Sequence, residues 1–132
     1  MLFSYNWLKK YVPNLPEPLK VEEGIIFHAF EVEGIETKGN DTLMEIKVLP
    51  DRAADCLCHQ GVAREVAAIF DLDFSLPLPE SDLALGRFQD LDVKIEDSSA
   101  CRRYIGERVR GVKVGPSPEW LASALEAIGQ RS

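Results

Sequence analysis

An α+β fold follows from three features of the sequence. Apolar residues recur at helical spacing in residues 5–12 and 57–70, and alternation of period two marks residues 30–35 and 43–48 on either side of Gly39-Asn40-Asp41. The overall balance, 45% hydrophobic and 28% charged over 132 residues, is that of a globular chain long enough to bury its own core. One domain or two very small ones are expected at this length.

The elements can be justified in order. Ser4 is placed to cap a first helix, Phe3 and Leu8 are spaced as a hydrophobic staple, and Pro13 stops the helix. Trp7, Leu8, Tyr11 and Val12 fall near one face, which assigns these aromatics to a core and not to a base-stacking platform. Residues 14–18 form a proline-punctuated loop, and 19–27 a weaker helix weakened further by Gly24. The two alternating segments then make a hairpin. Past Pro50, residues 51–55 are a polar lead into a core helix whose stripe is Leu57, Val62, Val66, Ile69 and Phe70.

Residues 71–87 carry Pro77, Pro79 and Gly86 with little periodicity, the character of an interdomain linker. Residues 91–95 and 104–112 look like strands. Ser117-Pro118-Glu119 opens a last helix with a cap, a first-turn proline and an early acid; Leu121, Ala124, Leu125 and Ile128 form its apolar stripe and Gly129 ends it.

Charge narrows the functional classes. With 15 basic and 22 acidic residues the formal net charge is -7, which argues against a surface that coats nucleic acid as a whole. The imbalance is local: residues 101–113 hold Arg102, Arg103, Arg108, Arg110 and Lys113 against Glu107, whereas the first hundred residues are strongly acidic. Alternation along 102–110 places Arg102, Tyr104, Arg108 and Arg110 on one face, a strip suited to phosphates or a stacked base. The competing reading is a sheet face packed against acidic neighbours of the same chain, which the acidic first hundred residues favour.

No compact catalytic signature is present: neither G-x-S-x-G, nor a phosphate-binding glycine loop with Lys and Ser/Thr, nor H-E-x-x-H. His28 and His59 have no acid or nucleophile placed beside them in sequence, and the close acids Glu22-Glu23 and Glu31 with Glu33 fit solvated faces. The three cysteines read as reduced thiols. Cys56, Cys58 and His59 invite zinc, but a single C-x-C-H cluster with only the distant Cys101 and His28 to complete it does not match structural zinc spacing, so no metal site is expected. No apolar run reaches membrane-span length and the start lacks the basic and apolar regions of a signal peptide, which points to a cytoplasmic protein without a membrane partner.

Four ordered stretches resemble the bacterial phenylalanine tRNA synthetase beta subunit. Phe3-Ser4-Tyr5-Asn6-Trp7-Leu8-Lys9 resembles that subunit's N-terminus, and Phe30-Glu31-Val32-Glu33-Gly34-Ile35 its G-F-E-V-E-G-I strand. Asp51-Arg52-Ala53-Ala54-Asp55-Cys56-Leu57 with Gly61-Val62-Ala63-Arg64-Glu65-Val66-Ala67-Ala68-Ile69 is similar to N-R-x-D-C-L-S-x-x-G-x-A-R-E-V-A-A. Cys101-Arg102-Arg103-Tyr104 and the run from Arg110 to Leu121 resemble C-P-R-Y and R-G-V-K-V-G-P-S-P-x-W-L. The chain departs from the pattern in several places. Only residues 36–42 separate Ile35 from Leu43 where the family inserts an oligonucleotide-binding (OB-fold) barrel; Ala29 replaces a glycine; the 51–55 stretch is one residue longer; Cys58 stands in the place of a capping Ser, which would weaken that cap; and the family continues beyond Ser132.

The resemblance implies a winged-helix-like N-terminal module over 1–76, similar to domain B1 of the subunit, a linker over 77–90, and over 91–132 the opening strands and helix of a truncated B3/B4-type editing domain. It implies a non-catalytic role in an alpha-beta heterotetramer that joins phenylalanine to tRNA with ATP and Mg2+, with the alpha subunit and tRNA as partners. No catalytic, cofactor or metal position of the family falls on these residues, so the fragment itself is expected to be inactive alone. An alternative is a stand-alone tRNA-binding or trans-editing-related module carried by Arg102, Tyr104, Arg108 and Arg110. DNA binding through the winged-helix shape would be fold analogy alone, and the acidic first hundred residues oppose it.

Overall fold

A computed structural model of the chain describes residues 1–76, 92–106 and 108–132. Its elements are β1 (Leu2–Ser4), α1 (Tyr5–Tyr11), α2 (Pro18–His28), β2 (Glu31–Lys38), β3 (Asp41–Lys47), α3 (Ala53–Cys56), α4 (His59–Phe70) and α5 (Glu119–Ala127). The three strands form one antiparallel sheet in the order β1-β3-β2, so the class is α+β as expected. Residues 1–76 and 117–132 cluster into one unit, and 92–106 with 108–116 into a second.

Local chemistry sets most boundaries in the first unit. Ser4 caps α1 by accepting the Trp7 N–H at 3.0 Å, and the chain leaves the helix ahead of Pro13. β2 and β3 meet at a two-residue loop, Gly39-Asn40, with Lys38 opposite Asp41 and Gly39 at φ 62°, a conformation natural to glycine. The strands therefore run closer to the turn than the sequence indicates, because pairing extends order through residues whose own alternation has stopped.

The hairpin also contains a bulge. Val32 pairs with Ile46 but Gly34 pairs with Glu45, leaving Glu33 as the additional residue. That insertion resets the parity of β2, so half-buried Val32 and Ile35, three positions apart, both pack on the core.

The core joins one sheet face to α1, α2 and α4. Phe3, Leu8, Val12, Val21, Ile25, Met44, Ile46, Val62 and Val66 have no accessible surface. Burial of each such side chain stabilises the fold by roughly 1.5–3 kcal/mol, before the entropy of ordering it is subtracted. The stripe expected on the core helix holds at Val62 and Val66, but Leu57 lies in the break between α3 and α4 and is exposed. Gly24 has a specific use: a Cβ there would lie 2.5 Å from Cζ of Phe70, so its absence admits the α4 ring against α2.

Arg52 fixes the corner that leads into α4. Its guanidinium donates to Asp55 Oδ2 at 2.8 Å and Glu65 Oε2 at 2.7 Å, and lies over the Phe30 ring. Cys58 stands at the N-cap of α4, its Sγ accepting the Gly61 N–H at 3.4 Å. Beyond α4, residues 72–76 are irregular yet tethered: Ser75 N–H donates to the Tyr11 carbonyl at 2.9 Å and Phe74 stacks on Tyr11.

Two expectations are corrected in the second unit. Described residues 92–95 form no strand, and neither do 104–106 or 108–112. Alternation is necessary for a half-buried strand but not sufficient, because a strand's N–H and C=O groups need a neighbouring strand to pair with. The 77–90 linker lies outside the described residues, as do Leu91 and Glu107. The last helix opens at Pro118 without a side-chain cap, contrary to the role expected for Ser117; Gly129, at φ 74°, ends it as expected. Its stripe is only half-buried, and no residue of α5 is fully buried.

Candidate functional site

Ser4, Asp41 and His59 come together from β1, β3 and α4. Ser4 N–H donates to His59 Nε2 at 3.0 Å, and Ser4 Oγ donates to Asp41 Oδ2. Asn6 N–H and Thr42 N–H donate to Asp41 Oδ1 at 2.9 and 2.8 Å, and Asn6 Nδ2 donates to the Asn40 carbonyl. Asp41 thus accepts three hydrogen bonds and bolts the hairpin turn to the start of α1.

The residue types are those of a hydrolase triad, but the wiring is different. A nucleophilic serine needs its hydroxyl proton taken by the imidazole. Here the Ser4 hydroxyl points to Asp41 while also capping α1, and His59 accepts only from the Ser4 backbone. His59 is 5% exposed, stacks on Trp7 with ring centroids 4.2 Å apart and lies at a tilt to Phe3. Burial pushes its pKa down to about 4, opposed by the negative Asp41. With Nε2 accepting, the ring is neutral and carries its proton on Nδ1. The constellation is a structural knot.

Beside this knot lies a cavity of about 390 Å³. Asn6, Trp7 and Lys10 of α1 line one side, Lys38, Asn40 and Asp41 the hairpin end, and Ser123, Ala124, Glu126 and Ala127 of α5 a third side. Neither Lys10 nor Lys38 was singled out by sequence: a lysine on a surface helix and one at a turn carry no pattern, and only the fold brings them to one hollow.

Arg102, Tyr104, Arg108 and Arg110 are all exposed, in irregular backbone. The structure places them without the strand that would align them on one face. Asp97 organises the turn before them: its carboxylate accepts from Ser99 N–H and Oγ and from Ala100 N–H, which holds its pKa below the usual carboxylate range. Tyr104 lines a second hollow, of about 350 Å³, with Val93, Ile95 and Cys101.

Among the described residues no three His, Cys, Asp or Glu side chains gather to hold a metal. Cys56 is buried, its thiol pushed up to about 11, first by burial and then by its hydrogen bond to Asp55; exposed Cys58 is engaged as a cap. No described helix is long and apolar enough to cross a membrane.

Comparison with known proteins gives this α+β chain a class: subunits of aminoacyl-tRNA ligases. The beta subunit of phenylalanine–tRNA ligase from Rhodopirellula baltica is 38% identical over 130 residues, 98% of this chain and 19% of that protein. The beta subunits from Syntrophotalea carbinolica and Anaeromyxobacter dehalogenans are 44% and 46% identical over 109 and 94 residues, 78% and 70% of this chain and 12% of each relative. The chain belongs to the phenylalanine–tRNA ligase beta-subunit family, and it spans about a fifth or less of the length of these relatives. No family model and no solved structure matches it.

Proposed function

We propose that this chain acts as the non-catalytic N-terminal part of a phenylalanine–tRNA ligase beta subunit, a docking and scaffolding element of an alpha-beta complex that attaches phenylalanine to tRNA at the expense of ATP. The observation that carries the reading is the 38% identity maintained over 98% of the chain with a beta subunit. Residues 1–76 are the winged-helix-like module on this reading, its two helices followed by the β2–β3 hairpin as the wing. Residues 91–132 are the start of the editing-domain side on this reading, joined through 77–90, although residues 117–132 cluster with the first unit.

The knot at Ser4, Asp41 and His59 supports a structural role, since it locks β1, α1, the hairpin and α4 into one body. The test is a chimera in which this chain replaces the matching segment of the Rhodopirellula baltica beta subunit, co-expressed with that organism's alpha subunit. Assembly with retained tRNA charging is expected. Failure to assemble overturns the reading, as does phenylalanine-dependent ATP–pyrophosphate exchange by the 132-residue chain alone.

The exposed Arg102, Tyr104, Arg108 and Arg110 favour a second reading, a tRNA-binding or trans-editing-related module.

A further inference from the structure

Four of the eight lysines and arginines of the unit formed by 1–76 and 117–132 are engaged, while Lys10, Lys20, Lys38 and Arg131 make no ion pair among the described residues. Lys9 lies over the Tyr5 ring, Arg64 over Phe74, Lys47 pairs with Glu31, and Arg52 with Asp55 and Glu65. Lys10 and Lys38 make no ion pair among the described residues, in a chain with 22 acids, and both line the 390 Å³ cavity. Unpaired ammonium groups at a concave surface are binding groups for an anion. Asp41, in the same wall, already accepts from Ser4, Asn6 and Thr42.

The cavity carries more than charge. Trp7 lines it while its stacking on His59 holds the indole in place. Ala124 and Ala127 leave the α5 side open, and Glu126, which takes part in no ion pair among the described residues, presents a carboxylate acceptor there. Lysines with a fixed aromatic ring are the elements that bind a single strand, cations on the phosphate and a ring against the base; an acceptor nearby can take the ribose 2′-hydroxyl. The volume falls within the roughly 300–1,000 Å³ of small-molecule sites.

We propose that this cavity binds one nucleotide of single-stranded RNA, its phosphate held by Lys10 and Lys38, its base against Trp7 and its ribose hydroxyl on Glu126. The choice of RNA among phosphate-bearing ligands rests on the ligase reading above. The site is separate from Arg102, Tyr104, Arg108 and Arg110, which lie in the other unit.

The test is a fluorescence titration of the full chain with Trp120→Phe, so that Trp7 is the only tryptophan emitter, using inorganic phosphate, uridine monophosphate, an eight-residue uridine oligonucleotide and its deoxy counterpart. The ribo-oligonucleotide should quench Trp7, bind more tightly than inorganic phosphate and more tightly than the deoxy strand. Lys10→Ala and Lys38→Ala should each weaken it about fivefold or more, with the salt slope falling by about 0.7 for each phosphate left without its lysine. Lys20→Ala, at an exposed position of α2 away from the cavity, should leave binding unchanged. Circular dichroism of each variant checks that the fold is retained. Absence of quenching, equal binding by folded Lys10→Ala and Lys38→Ala, or inorganic phosphate binding as tightly as the oligonucleotide overturns the proposal. Chimera assembly is scored separately: a chimera that assembles while the titration fails rejects the nucleotide site alone, and a titration that succeeds while assembly fails rejects the ligase reading alone.

Discussion

The backbone N–H of Ser4 donates to Nε2 of His59 across 55 residues of sequence, at 3.0 Å. That bond ties the first strand to the first turn of α4, and it exists only while the imidazole is neutral. Protonation at Nε2 would set a donor against a donor in a site where the ring is 5% exposed.

Stability should therefore depend on pH through His59. Its folded-state pKa, about 4, lies below the unfolded value near 6.5, so the unfolded state binds the extra proton between them. The contribution is fully present above about pH 6.5 and is lost as pH falls toward 4, roughly 3 kcal/mol in all. Urea denaturation at stepped pH checks this. His59→Gln, which keeps an acceptor but cannot titrate, should be less stable at pH 7 and should flatten the slope between pH 6.5 and 4.

Gly61 should tolerate no side chain. A Cβ there would stand 1.7 Å from the Asp55 carbonyl oxygen and 2.9 Å from the Cys56 Cα, both backbone atoms that can move only if α3 lifts from α4. Gly61→Ala should cost at least about 1–3 kcal/mol by overpacking. Gly34→Ala, with no neighbour within 4 Å, is the matched control and should change the urea midpoint little.

Asp71 closes α4 in the left-handed conformation, φ 52° and ψ 51°, its N–H directed to the Ala67 and Ala68 carbonyls. Asp71→Gly should raise stability by about 0.5–1 kcal/mol, since glycine occupies that region without the Cβ penalty. Thermal denaturation gives the sign directly.

On the second functional reading, Arg108→Ala with Arg110→Ala should weaken tRNA binding and reduce its salt slope by about 2. A filter-binding titration with unchanged slope would remove these two arginines from the interface.

Much of the local structure was legible because its causes are local. The Ser4 cap, the stop before Pro13, the Gly39-Asn40 turn, the Val62–Val66 stripe and the Gly129 terminator each follow from a residue's own geometry or from spacing along one element. The family likeness was legible for a similar reason, as runs of consecutive residues that the comparison with beta subunits bears out. The candidate cavity is not: the spacing of Trp7 marks it as core, and Lys10 and Lys38 belong to no motif.

The sequence by itself determined the α+β class, the positions of α1, α2, α4 and the hairpin, and the family. Tertiary structure decided what depends on a partner far along the chain. β1 is too short for a period and exists because it pairs with β3; the Glu33 bulge re-aims β2 because the core needs Ile35 inward; Gly24 serves Phe70; and residues 104–106 and 108–112 alternate without becoming strands. Periodicity records which face of an element is apolar, but a strand, a buried imidazole or a cavity forms only where a second segment supplies the hydrogen bond, the ring or the wall.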